Sequence, residues 1–150
     1  MRRASVTTAL AVLLATQAPA AIVRDCNRFE ARADNLMMPP AESIRTFANG
    51  DIRLMWLDTT EPACCSSHLM VTLPSPEDPG LICALVSRDD ALGFGGLDLP
   101  GAVASYDPAR GLQVKVPANL WTGDAIAPLD LTVTINQQTG VVRASESPLR

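Results

Sequence analysis

The chain reads as all-β, an antiparallel β-sandwich or small barrel of about eight short strands behind a short irregular or helical N-terminal segment. Three observations predict this. Two stretches near the C-terminus alternate apolar and polar residues, which puts one face of a strand on a core and the other in water. Turn signals recur at short intervals between apolar runs. The 150 residues are 47% hydrophobic and 19% charged, enough to build one domain core, with no apolar run long enough for a transmembrane segment.

The first 20 residues have the order of an export signal. Met1-Arg2-Arg3 is a basic start, residues 9–15 are a short apolar run, and Ala18-Pro19-Ala20 offers small residues at the two positions a signal peptidase reads. Residues 1–20 are therefore expected to be a signal peptide, 21–144 one β domain and 145–150 a loose tail. Loss of Arg2 and Arg3 from the 12 basic residues leaves 10 against 16 acidic ones, a net charge of −6. That balance argues against nucleic acid as a partner. No small-residue lipobox precedes Cys26, so the expected product is soluble and periplasmic or secreted.

From Asp25 to Leu36 the pattern allows a short helix, which Met38-Pro39-Pro40 ends. Asn49-Gly50 predicts a two-residue hairpin turn joining Ser43–Phe47 to Ile52–Asp58. His68–Leu73 alternates; Pro74–Gly80 is a loop by composition; Leu81–Val86 is a continuous apolar strand. Phe94–Leu99 and Ala102–Tyr106 are broken by glycines and by Pro100-Gly101. The glycines of Gly93-Phe-Gly-Gly96 read as a bend where strands approach closely. Asp107-Pro-Ala-Arg-Gly111 is a turn, followed by strands at Leu112–Val116, Leu129–Asn136 and Val141–Arg143. Trp56 reads as core. Trp121 falls between two strands, packed over the open end of the sheets.

Four cysteines in an exported chain suggest two disulfides. If Leu73 faces Leu81, Cys83 lies opposite Val71, and Cys65 is six residues further along, about 20 Å away. A bridge needs Cα atoms within about 7 Å, so this register favours Cys26–Cys83 and leaves Cys64 and Cys65 as a vicinal pair, free or bonded to each other. A bulge near Ser66-Ser67 would reopen the other pairings.

The segment Cys64-Cys65-Ser-Ser-His68-Leu-Met70 carries the sharpest candidate chemistry. Soft sulfur with imidazole suits Cu(I), and Cys with His suits zinc. On a strand His68 and Met70 share a face about 6.6 Å apart, with Cys64 roughly 13 Å from His68. His68-x-Met70 resembles the last element of the periplasmic copper chaperone family, which are exported β domains of similar size. The resemblance covers three residues. That family's motif also places an upstream His and a Met at fixed spacing, whereas this chain has one histidine and carries Thr46 where the Met would stand.

For nucleophilic catalysis, Cys64 or Cys65, or Ser66 or Ser67, with His68 is the one local nucleophile–base pair; Gly-x-Ser-x-Gly and Cys-x-x-Cys are absent. The expectation is a non-catalytic binding module for an unknown protein or small ligand. The alternative is a copper- or zinc-binding protein using His68 and Met70 with Cys64 and Cys65.

Overall fold

Leu129, Leu131, Val133 and Ile135 are buried while Asp130, Thr132 and Thr134 between them are half-buried, so the strongest alternation in the sequence becomes a strand with one face on the core. The computed structural model describes residues 21–61 and 64–149; the expected signal peptide lies outside the described residues. Ten strands form two five-stranded antiparallel sheets stacked as an open sandwich, not a closed barrel.

The first sheet has the order β1-β5-β4-β3-β2, from β1 Ile22–Asp25, β2 Ile44–Phe47, β3 Ile52–Asp58, β4 Ser67–Pro74 and β5 Leu81–Ser87. The second runs β10-β9-β8-β6, with β7 also on β8: β6 Gly96–Leu97, β7 Val103–Asp107, β8 Gly111–Trp121, β9 Ile126–Asn136 and β10 Val141–Pro148. Inward residues of both sheets, among them Leu54, Leu69, Val71, Val86, Val116 and Leu131, meet in one core together with Phe94 from the connection before β6.

Several boundaries differ from the sequence expectation. The Asn49-Gly50 hairpin forms, but Phe47 pairs with Ile52, so four residues turn the chain rather than two. Ala48, Asn49 and Gly50 all take positive φ there. The N-terminal segment makes two short 3-10 turns, Phe29–Ala31 and Ala33–Asn35, and a four-residue helix α1 at Pro40–Ser43, in place of one helix. Trp121 closes β8 opposite Ile126 rather than sitting in a loop. The tail expected to be loose is strand as far as Pro148, because Ser145 to Pro148 continue the ladder onto β9.

The β4–β5 register is Pro74 against Leu81, one residue from the expected one, so Cys83 faces Thr72 and not Val71. A hydrogen bond from Ser75 N to Gly80 O closes the hairpin there. The shift keeps Val71, Leu73, Ala84 and Val86 inward and turns Cys83 to the outer face. Asp25 pairs with Ala84, which sets Cys26 beside Cys83 one step past the end of β1. Their Cα atoms are 5.6 Å apart with the sulfurs joined, as the sequence favoured.

Topology also explains what covers the outer face of the first sheet. The chain leaves β1 at one edge and reaches Leu36, bridged to Leu57 of β3, near the other. Residues 26–35 therefore cross over β5 and β4, and Met37 N continues the contact by donating to Trp56 O. Leu57, Leu85, His68 and Ser87, all on that outer face, are buried beneath this crossing.

Candidate functional site

The two sheets part at the end where β3 hands over to β4, and a cleft of about 510 Å3 opens between them. Its lining comes from both sheets: Trp56, Asp58 and Ser67 from one, Leu97, Asp98 and Asn119 from the other. Sequence alternation aims these groups. Trp56 and Asp58 follow Ile52 and Leu54 on the inward face of β3, and the indole packs partly against the core.

The polar groups on the first-sheet side are tied to one another. Trp56 Nε1 donates to Ser67 Oγ at 2.9 Å, and Ser67 Oγ lies 3.3 Å from Asp58 Oδ2. Asp58 Oδ1 accepts from Ser66 Oγ and from Thr60 N, each at 2.7 Å. Across the cleft, Asp98 Oδ1 accepts from Gly101 N at 2.9 Å, and Asn119 is exposed at the mouth. The floor is fixed by backbone. Ser67 and Phe94 exchange hydrogen bonds, Gly93 N donates to Cys65 O, and Gly95 N donates to Asn119 O. A Cβ on Gly93 would run into the Ser67 carbonyl, so the close approach read from Gly93-Phe-Gly-Gly96 is present.

His68 is elsewhere. It points away from the cleft, to the outer face of the first sheet, and is 3% exposed. Arg24 Nη2 donates to Ser87 Oγ at 2.9 Å and also reaches Glu30. Ser87 Oγ also lies 2.8 Å from His68 Nδ1, so one hydroxyl is hydrogen-bonded to both the guanidinium and the imidazole. Burial holds the His68 pKa below the ordinary histidine value, with the Arg24 charge acting in the same direction and the Glu30 and Asp58 charges against it.

Met70 shares the outer face with His68 and is half-buried. Cys64 and Cys65 are joined to each other, with Cα atoms 3.7 Å apart and Cys65 at positive φ. The four residues of the expected metal set thus have His68 Nδ1 bonded to Ser87 and both sulfurs bonded together. Among the described residues no group of three His, Cys, Asp or Glu side chains is placed to hold a metal ion.

Sequence reasoning did not single out Asp58, Asp98 or Asn119. Asp58 carried a usable signal, being two residues from Trp56 on the same strand face. Asp98 and Asn119 reach the cleft only through the pairing of β6 with β8, a contact more than 20 residues apart in sequence with no local signature. Fold and site together define an open antiparallel β-sandwich with a cleft at one end. Compared with protein-family models, with curated proteins and with solved structures, the chain matches none.

Proposed function

We propose that the chain is an exported, non-catalytic β-sandwich domain that holds a partner segment or small ligand in the cleft at the open end of the sheets. The observation that carries this reading is the cleft itself: it is roomy, lined from both sheets, and backed by side chains already fixed by the Trp56–Ser67–Asp58 network. Preset lining groups lower the ordering cost of binding. The single histidine faces the opposite side of its sheet, so no imidazole serves the cleft as a base. Two cysteine pairs in bonding contact support an oxidising compartment, in keeping with the signal-like residues 1–20. Metal carriage by His68 and Met70 has less support, because Ser87 engages His68 Nδ1 and the two nearby sulfurs engage each other.

The test uses Trp56 as reporter. Trp121→Phe leaves it the only tryptophan of the two in the chain. Titration with a panel of short peptides and small polar ligands should find one that shifts Trp56 emission saturably. Asn119→Phe, which crowds the cleft mouth, should weaken that ligand at least tenfold, and His68→Ala should leave it unchanged. A ligand indifferent to Asn119→Phe but lost with His68→Ala would overturn the assignment.

A further inference from the structure

Cys64 and Cys65 stand where the chain enters β4, beside the first-sheet wall of the cleft. The bond between their sulfurs closes a small ring that contains the peptide bond joining the two residues. Cys64 is exposed, whereas Cys65 is buried and held at φ 88°, a left-handed conformation that residues with a Cβ rarely adopt. From Cys65 the contacts run into the cleft. Its carbonyl accepts from Gly93 N at 2.6 Å, and Ser67 and Phe94 exchange hydrogen bonds alongside. Ser66 O accepts from Thr59 N, the Ser66 hydroxyl donates to Asp58, and Ser67 Oγ receives the Trp56 indole N–H. Cys26 and Cys83 differ: both are half-buried, and their bond joins residues 57 apart.

We propose that Cys64–Cys65 is a reversible redox site, opened by a dithiol, whose opening loosens the first-sheet wall of the cleft. A thiolate of the dithiol attacks the exposed Cys64 sulfur, forming a mixed disulfide there and expelling the Cys65 thiolate, which takes up a proton. The second thiolate of the dithiol then closes on its own mixed sulfur and expels the Cys64 thiolate. The dithiol gives up two electrons and two protons and becomes a disulfide, and Cys64 and Cys65 end as thiols. A monothiol serves poorly, because the neighbouring Cys65 thiolate re-attacks Cys64 and recloses the ring. Opening the ring frees Cys65 to turn to negative φ, which swings its carbonyl off Gly93 N. The exposure of Cys64 makes this pair the first to react, ahead of the half-buried Cys26–Cys83. The site stands independently of what occupies the cleft, since it rests on the cysteines and their backbone contacts.

Alkylation mapping and nuclear magnetic resonance of the oxidised protein, under graded dithiothreitol, test it. Cys64 and Cys65 should become open to alkylation together, at a dithiothreitol concentration at least tenfold below the one that opens Cys26–Cys83. In that first step the Gly93 amide and the Trp56 indole N–H should exchange with solvent at least tenfold faster, and reoxidation should restore both. Cys64→Ser/Cys65→Ser should show the fast exchange with no reductant present. Faster opening by reduced thioredoxin than by dithiothreitol, at equal dithiol, would assign the reductant to a protein, and the reverse to a small dithiol. Opening of both cysteine pairs at one concentration would overturn the assignment. So would reduction of Cys64–Cys65, or its replacement by serines, that leaves the Gly93 and Trp56 exchange unchanged.

Discussion

Two buried ionisable side chains, His68 and Glu146, respond to pH in opposite senses. Burial disfavours the charged imidazolium, so the His68 pKa is lowered in the folded state and the unfolded chain takes up that proton first. His68 therefore withdraws stability as pH falls below the ordinary histidine range, near 6.5. His68→Gln should lose less stability than the parent between neutral pH and the acid side of that range, measured by urea melts at both. Burial raises the Glu146 pKa, with Arg88 opposing, so the folded state holds its proton longer than the unfolded chain does. Its contribution is present below the unfolded value and is lost as pH rises through the folded one. Glu146→Gln should then stabilise the protein at neutral pH by about 1 kcal/mol, with no gain in acid, since only Oε1 is both sealed and unpartnered. A neutral-pH melt in which Glu146→Gln is the less stable protein would mean that the carboxylate has a partner.

At the scale of elements, the cysteine pairs should differ sharply in what they contribute. Cys26 and Cys83 are 57 residues apart, and closing a loop of that size in the unfolded chain is worth about 4 kcal/mol on the chain-entropy account. The double variant Cys26→Ala/Cys83→Ala should lose a large share of that in denaturant melts and free the strap of residues 26–35 over His68. Cys64 and Cys65 are adjacent, close no loop of consequence, and should leave global stability nearly unchanged when replaced together by serine. Gly93→Ala should cost about 2 kcal/mol or more, because the new methyl group meets the Ser67 carbonyl at the corner where β4 and the β6 approach join. That a close approach occurs at Gly93 was legible from its glycine-rich surroundings. The Cys26–Cys83 pairing was also legible, since a shift of one residue in the β4–β5 register does not bring Cys65 near Cys83. A continuous apolar run marked β5, and alternation marked β4 and the centres of β8 and β9. It did not mark where β8 and β9 begin and end: Pro117, Pro128 and the exposed Ile126 interrupt the pattern, and only pairing with the neighbouring strand carries the ladder through them.

For the molecule as a whole, the fold was more legible than the site. A sandwich core is written in local alternation, whereas the cleft is assembled from residues that meet only when two sheets stack. Asp58, Asp98 and Asn119 have no common sequence signature, and Glu146 was hidden in a polar stretch that resembled a loose end until β9 paired with it. His68 drew notice as the only histidine, yet the strap from β1 to β3 places it under cover, bonded to Ser87. The first sheet itself separates the two chemical features: the polar cleft lies on its inner side, and the imidazole lies on its outer face beneath the strap.

The export claim, with its two closed cysteine pairs and no carried metal, is tested most directly by the intact mass of the protein recovered from the exporting cell. The measurement is made native and denatured, with alkylation before and after reduction. The account predicts a chain beginning at Ala21, no thiol open to alkylation until reduction exposes all four, and no added metal mass. Retention of residues 1–20 with open thiols would contradict export. A bound copper or zinc mass lost on His68→Ala would return the His68–Met70 face to the centre of the function.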